Sequence, residues 1–174
     1  AWGAYNMGGD GTAGNEADFY ASYAFSDAIS LTVTDYFFPG EGSGGYFPYN
    51  KGHVFEAMIS LQGGDSFPIG LSVATNFGGA IKYDDDGDEK SAYSTYVELS
   101  YGTTVGDVEL GFFAGGVFGD DKGYYLTDGS GVINLGISVA KKVRLTESFS
   151  LPVNAAIILN PDSEDIFLTF GFSL

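Results

Sequence analysis

The sequence has no cysteine, and it has only 5 prolines, 1 histidine and 1 tryptophan. Without cysteine there can be no disulfide framework and no thiolate metal site. Basic residues are also scarce: 7 lysines and arginines face 23 aspartates and glutamates, a net charge of −16. That balance excludes a nucleic-acid phosphate backbone as an expected partner. No stretch approaches the roughly 20 consecutive apolar residues of a membrane helix. The opening AWGAYNM has neither a basic n-region nor an apolar h-region, so any export signal is expected to have been removed already.

Glycine and aromatics are abundant instead, with 27 Gly, 12 Tyr and 15 Phe in 174 residues. A chain of this length is expected to form one domain, residues 1–174. Its hydrophobic period is two. In EADFYASYAF, Phe19, Ala21, Tyr23 and Phe25 alternate with Asp18, Tyr20, Ser22 and Ala24. HVFEAMISLQ sets Phe55, Ala57, Ile59 and Leu61 against Glu56, Met58, Ser60 and Gln62. The ending DIFLTFGFSL sets Ile166, Leu168, Phe170, Phe172 and Leu174 against Phe167, Thr169, Gly171 and Ser173. No segment holds a helical period for three turns, so the reading is all-β with about ten strands, the first a short one at WGAYNM.

The connections alternate in length. Short turns are expected at Ser26-Asp27, Gly63 to Pro68, Thr103 to Gly106 and Arg144 to Glu147. Longer glycine- and acid-rich loops, such as FPGEGSGGYFPYNKG and YDDDGDEK, lie between them. An up-and-down meander with one tightly turned end gives this pattern.

Both a soluble, lipocalin-like barrel and a membrane barrel alternate in this way. The polar face decides between them, because a water-facing sheet usually carries Lys, Glu and Arg. Here that face carries mainly Gly, Ser, Thr, Asn and Ala, which suit a confined lumen. Aromatics gather at strand ends: Phe25, Tyr101 and Phe149 by the short turns, and Tyr36, Phe37, Phe77 and Phe118 by the long loops. Two such groups resemble interfacial girdles. The expected fold is therefore a closed antiparallel up-and-down transmembrane β-barrel in the bacterial outer membrane.

EADFYASYAFSDAISLTVTDYFFP, GHVFEAMISL, STYVELSYG and FLTFGFSL resemble a group of outer-membrane barrels best represented in Bacteroidota and similar to TorF-like porins. The resemblance covers most of the chain and implies an outer-membrane barrel with a transport role. Leu174 departs from the family's usual terminal Phe or Trp. WGAYNM is too short to span, so the rest of its strand is expected upstream; a further hairpin there would make twelve strands instead of about ten.

Parity places Asp18, Glu56, Glu98, Glu109 and Lys142 on the luminal side. Glu56 and Glu98 could form a cation-favouring constriction, since carboxylate rings set selectivity in pores. The alternative is a hydrogen-bonded plug joining Glu56 to Tyr96, Tyr20 or Lys142. His53, the sole histidine, lies near the rim; with Ser43 or Ser91 it could start a catalytic pair, but no nucleophile elbow supports one and no enzyme is expected. Asp84, Asp86 and Asp88 are hard oxygen ligands of the kind Ca²⁺ prefers, yet the EF-hand spacing fails. No cofactor is expected, and the loop reads as solvated and acidic. Pro152 predicts a bulge. Asp35 falls on the lipid-facing parity, and a bulge near Tyr36 or a position at the headgroups would accommodate it.

Two functions follow. One is a small passive pore for ions or small solutes. The other is a non-transporting accessory or scaffold subunit of a larger outer-membrane complex. The expected partners are the lipid bilayer, lipopolysaccharide held through divalent ions at the acidic rim, and other outer-membrane proteins.

Overall fold

The computed structural model describes residues 1–6, 14–40, 45–49, 51–64, 67–84 and 86–173. Alternating segments become strands: β1 Trp2–Ala4, β2 Glu16–Ser26, β3 Ile29–Phe37, β4 His53–Leu61, β5 Ile69–Gly78, β6 Ile81–Tyr83, β7 Glu89–Ser91, β8 Thr95–Val105, β9 Val108–Phe118, β10 Gly131–Arg144, β11 Ser150–Asn160 and β12 Asp165–Phe172. Ten of them form one antiparallel meander in the order β1-β2-β3-β4-β5-β8-β9-β10-β11-β12. The other two, β6 and β7, pair as a separate hairpin in the connection between β5 and β8. No helix among the described residues is long and apolar enough to cross a membrane.

The all-β class agrees with the sequence, but the expected closed barrel does not form. The sheet is open, with β1 at one edge and β12 at the other. At the first edge, the 3 residues of β1 pair with Glu16 to Asp18 of β2. Among the described residues, β2 from Phe19 to Ser26 has a strand neighbour on one side only, and β12 is paired only with β11. Alternation fixes which way side chains point, but it supplies no strand to bridge two edges.

Registered rows of side chains show how two unlike faces arise. Leu61, Leu71, Leu99, Ala114, Leu135, Leu159 and Ile166 stand opposite one another in turn from β4 to β12. One residue away along the strands, Ser30, Ser60, Ser72, Glu98, Gly115 and Asn134 make the corresponding row on the other face. The apolar face is open: Phe19, Ile59, Leu99, Ile137, Ile157 and Phe170 are 52–78% exposed. The small core lies at the long-loop end of the polar face, where Val54, Ala80 and Ala92 are buried against Tyr36 and Tyr124.

Local expectations fare unevenly. Pro152 causes no bulge, since β10 and β11 keep register through Lys142–Pro152. The Pro152 carbonyl accepts from Ser173 N at 3.1 Å, so the proline nitrogen faces the end of β12, where the ladder stops. Nor is there a bulge at Tyr36: Asp35, Tyr36 and Phe37 pair in sequence with Phe55, Val54 and His53. Tyr36 lies on the polar face and Phe37 is buried, so neither belongs to an exposed aromatic girdle. Phe25, Phe77, Tyr101, Phe118 and Phe149 are exposed.

Candidate functional site

Two carboxylates organise the polar face. Glu56 stands in a row with Tyr20, Thr34 and Asn76. Its Oε1 accepts the Tyr36 hydroxyl at 2.9 Å. Glu98 lies two rows away on the same face, across from Ser72, and its Oε2 accepts from Asn134 Nδ2 at 3.0 Å and from Tyr96 Oη at 2.5 Å. Asn134 also donates to Tyr96 Oη at 2.7 Å. This network depends on Gly115, the residue between Glu98 and Asn134 in the ladder. A β-carbon at Gly115 would collide with the Tyr96 phenol, so the missing side chain is what lets the ring lie across β9.

The two networks meet through the connection between β9 and β10. Asp120 is completely buried there. Its Oδ1 accepts from Ser94 Oγ in a short hydrogen bond and from Tyr125 N at 3.1 Å. Its Oδ2 accepts from Thr127 N at 2.9 Å and Thr127 Oγ1 at 3.3 Å. Held in this way, Tyr124 packs 6.2 Å from Tyr36 and 5.0 Å from Tyr125, and Tyr125 stacks 6.0 Å from Tyr96, centroid to centroid. Four tyrosine rings thus bridge Glu56 to Glu98. Burial first, and then the charges of Glu16, Glu56 and Asp18, push the Tyr124 phenol above its ordinary range. For Tyr125, burial and then Glu56 act in the same direction.

Glu56 and Glu98 lie two rows apart on the polar face, and Glu56 is not joined to the partners expected from sequence. Glu56 bonds to Tyr36, not to Tyr96, Tyr20 or Lys142. Asp18 is buried, and its Oδ1 has no hydrogen-bond partner. The exposed Glu109 lies toward the short-turn end with Gly102, Thr104, Gly111, Ser138 and Asn154, lining a trough of about 450 Å³. Lys142 is exposed on the same parity, and Lys141 forms an ion pair with Asp107 at 3.0 Å.

His53 belongs to a cluster that the sequence did not reveal. Its Nδ1 lies 2.7 Å from Asp35 Oδ1, and its Nε2 lies 2.7 Å from the Tyr46 carbonyl. The Tyr46 hydroxyl donates to Asp35 Oδ2 at 2.6 Å. Phe37 and Tyr49 pack on the imidazole at 4.7 and 4.6 Å. Asp35 tolerates its apolar parity because these partners enclose it. Both ring nitrogens are engaged with oxygen acceptors, an arrangement unlike a base poised beside a nucleophile. Ser91 is exposed at the end of β7, and Ser43 lies outside the described residues.

The acidic loop is folded as well. Asp84 pairs with Lys90 at 2.5 Å and accepts from the backbone of Asp86 and Asp88 at 3.1 and 2.9 Å. These bonds turn its oxygens toward the hairpin, and Lys82 ties that hairpin to Asp121 at 2.7 Å. Among the described residues, no group of three or more His, Cys, Asp or Glu side chains is arranged to hold a metal ion.

No family profile, curated protein or solved structure matches this chain.

Proposed function

We propose that the chain is the membrane-embedded wall of a small passive pore in the bacterial outer membrane. The observation that carries this reading is the apolar face, whose rows of Leu, Ile, Val and Phe remain exposed in the folded chain. A soluble monomer rarely shows an apolar patch beyond a few hundred Å², whereas lipid accepts such a face without cost. The polar face, with its trough of small and hydroxylated residues, is the solute path. Lipid cannot satisfy a free strand edge, so this reading requires extended backbone along β12 and the uncovered part of β2. The acidic long-loop end faces outward, where divalent ions would link it to lipopolysaccharide.

The tyrosine bridge and Asp120 favour a second reading, because they fill the long-loop end of the path. A permanently filled face would suit an accessory subunit bound to other outer-membrane proteins. Conductance of the purified protein in a planar bilayer separates the two: discrete cation-preferring steps support the pore, and silence at every voltage supports the accessory role. The membrane reading has its own check. Spin labels at Leu135, Ile137, Val139, Leu168, Phe170 and Phe172 should be open to oxygen and shielded from polar relaxation agents. If labels at Asn134, Ser138 and Thr169 behave identically, that assignment fails.

A further inference from the structure

The trough at the short-turn end of the polar face is built around Ala140. Thr104, Glu109, Ala140 and Asn154 stand opposite one another in turn across β8, β9, β10 and β11. Adjacent strands lie about 4.8 Å apart, so Glu109 and Asn154 flank the short Ala140 side chain. Ser138 and Lys142 lie before and after Ala140 on the same face of β10, each about 7 Å along the strand. Glycines keep the floor low. A β-carbon at Gly111 would meet Ser138 Oγ, and one at Gly171 would meet Asn154 Oδ1, so each polar side chain lies over a glycine. The space left is about 450 Å³, lined by Thr104, Glu109, Ser138, Ala140 and Asn154 among others. Sites for small ligands commonly measure about 300–1,000 Å³.

Small residues alone would make only a gap, but two unpaired charges of opposite sign border this one. Among the described residues, ion pairs join His53 to Asp35, Lys82 to Asp121, Lys90 to Asp84 and Lys141 to Asp107. Glu109 and Lys142 take part in none of them, and both are exposed. They are diagonal neighbours, because Glu109 stands opposite Ala140 and Lys142 is the next residue of that parity. Diagonal β-carbons lie about 7–8 Å apart, which leaves room for a small ligand between the two charged ends. A simple cation would be drawn to Glu109 and repelled by Lys142, and a simple anion the reverse. A ligand bearing both charges gains from both.

We propose that the trough over Ala140 binds a small zwitterion of the amino-acid type. Its ammonium donates to the Glu109 carboxylate and the Thr104 hydroxyl, and its carboxylate accepts from Lys142 Nζ. Ser138 and Asn154 supply a hydroxyl and an amide at the margins. Closure of Glu109 directly on Lys142 competes weakly, since an exposed ion pair is worth only about 0–1 kcal/mol. The inference rests on the polar face being a solute path and specifies the class of solute.

The test is equilibrium binding to the full chain in detergent, which needs no transport. L-Alanine is titrated at constant ionic strength beside ethylammonium chloride, which lacks its carboxylate, and sodium propionate, which lacks its ammonium. The Asn154 side-chain amide is followed by NMR. A saturable shift with alanine is expected, with each analogue about tenfold weaker or more, as loss of one charged hydrogen bond implies. Glu109→Gln and Lys142→Gln should each weaken alanine binding by about the same factor. Ala140→Leu keeps both charges, fills the trough and should abolish binding; if it does not fold, the two Gln variants carry the test. Either analogue binding as tightly as alanine, or unchanged affinity in any of the three variants, would overturn the site and leave Glu109 and Lys142 as solvated charges. Saturable alanine binding without conductance would keep the site and remove the pore. Conductance without saturable binding would do the reverse.

Discussion

His53 Nδ1 stands 2.7 Å from Asp35 Oδ1 on a face that is otherwise apolar. Side-chain exposure of the two is 1% and 15%, and Tyr46 supplies the second polar partner of each, its hydroxyl to Asp35 and its carbonyl to His53. Removing one member of a buried pair usually destabilises by about 3–5 kcal/mol, whereas replacing both with apolar groups is often neutral or stabilising. Asp35→Ala should therefore lower the melting temperature sharply. Asp35→Leu combined with His53→Phe should recover most of the loss. If the double variant melts below the single one, the cluster contributes more than charge compensation.

Gly115→Ala should displace the Tyr96 ring and break the bonds to Glu98 and Asn134 together. Overpacking costs about 1–3 kcal/mol, while Tyr96→Phe loses the hydroxyl without a steric clash. Thermal melts should thus rank wild type above Tyr96→Phe, and Tyr96→Phe above Gly115→Ala. The reverse order of the two variants would mean that the ring has room to move aside.

The strands of the large sheet were legible because a period of two survives in every one long enough to show it. The hairpin of Ile81–Tyr83 and Glu89–Ser91 was not, since each strand has 3 residues and lies in an acidic stretch. Parity marked Asp35 as misplaced, but its remedy lies 11 residues away at Tyr46, in a loop whose fold no alternation encodes. Sequence offers Tyr96, Tyr20 or Lys142 as the partner of Glu56, and the structure gives Tyr36. Thr34 and Tyr36 share a parity, and with Thr34 opposite Glu56 the nearer ring is Tyr36, one diagonal step away. Closure was beyond reach for a related reason: the pattern of β12 is the same whether or not a second strand lies beside it.

Asp120 anchors the connection that carries Tyr124 and Tyr125. Asp120→Ala leaves Ser94, Tyr125 and Thr127 donors unpaired in a buried place. A loss of about 3 kcal/mol is expected from a broken buried charged network. Limited proteolysis should then cut within residues 119–130 before any other segment. A cleavage pattern identical to wild type would show that the backbone bonds from Asp120 N to Gly129 O and Lys122 N to Thr127 O hold the loop unaided.

Asp84 gives a pH dependence with a definite sign. Lys90 first, and then the backbone N–H of Asp88, lower its carboxyl below the ordinary 3.8. A depressed folded value contributes stability that is complete above the unfolded value and is lost as pH falls through the folded one. Amide exchange in β6 and β7 should accelerate as pH drops below about 3.8, after correction for intrinsic rates. Asp84→Asn should remove that acid-dependent step. A step of equal size in the variant would assign it to another carboxylate.

The charge on Glu56 and Glu98 should matter more for transport than charge at the rim. Carboxylates on a confined face are screened less than those in open solution, where the Debye length at 0.15 M salt is about 8 Å. Glu56→Gln with Glu98→Gln keeps side-chain size and removes both charges. In a salt gradient, the reversal potential of a conducting protein should move toward the non-selective value. Asp84→Asn with Asp86→Asn should shift it less, and that smaller shift should fade at high salt. If the wild type is silent and either Gln substitution lowers the melting temperature, the two glutamates act as ties for the tyrosine bridge. The accessory-subunit reading then replaces the pore.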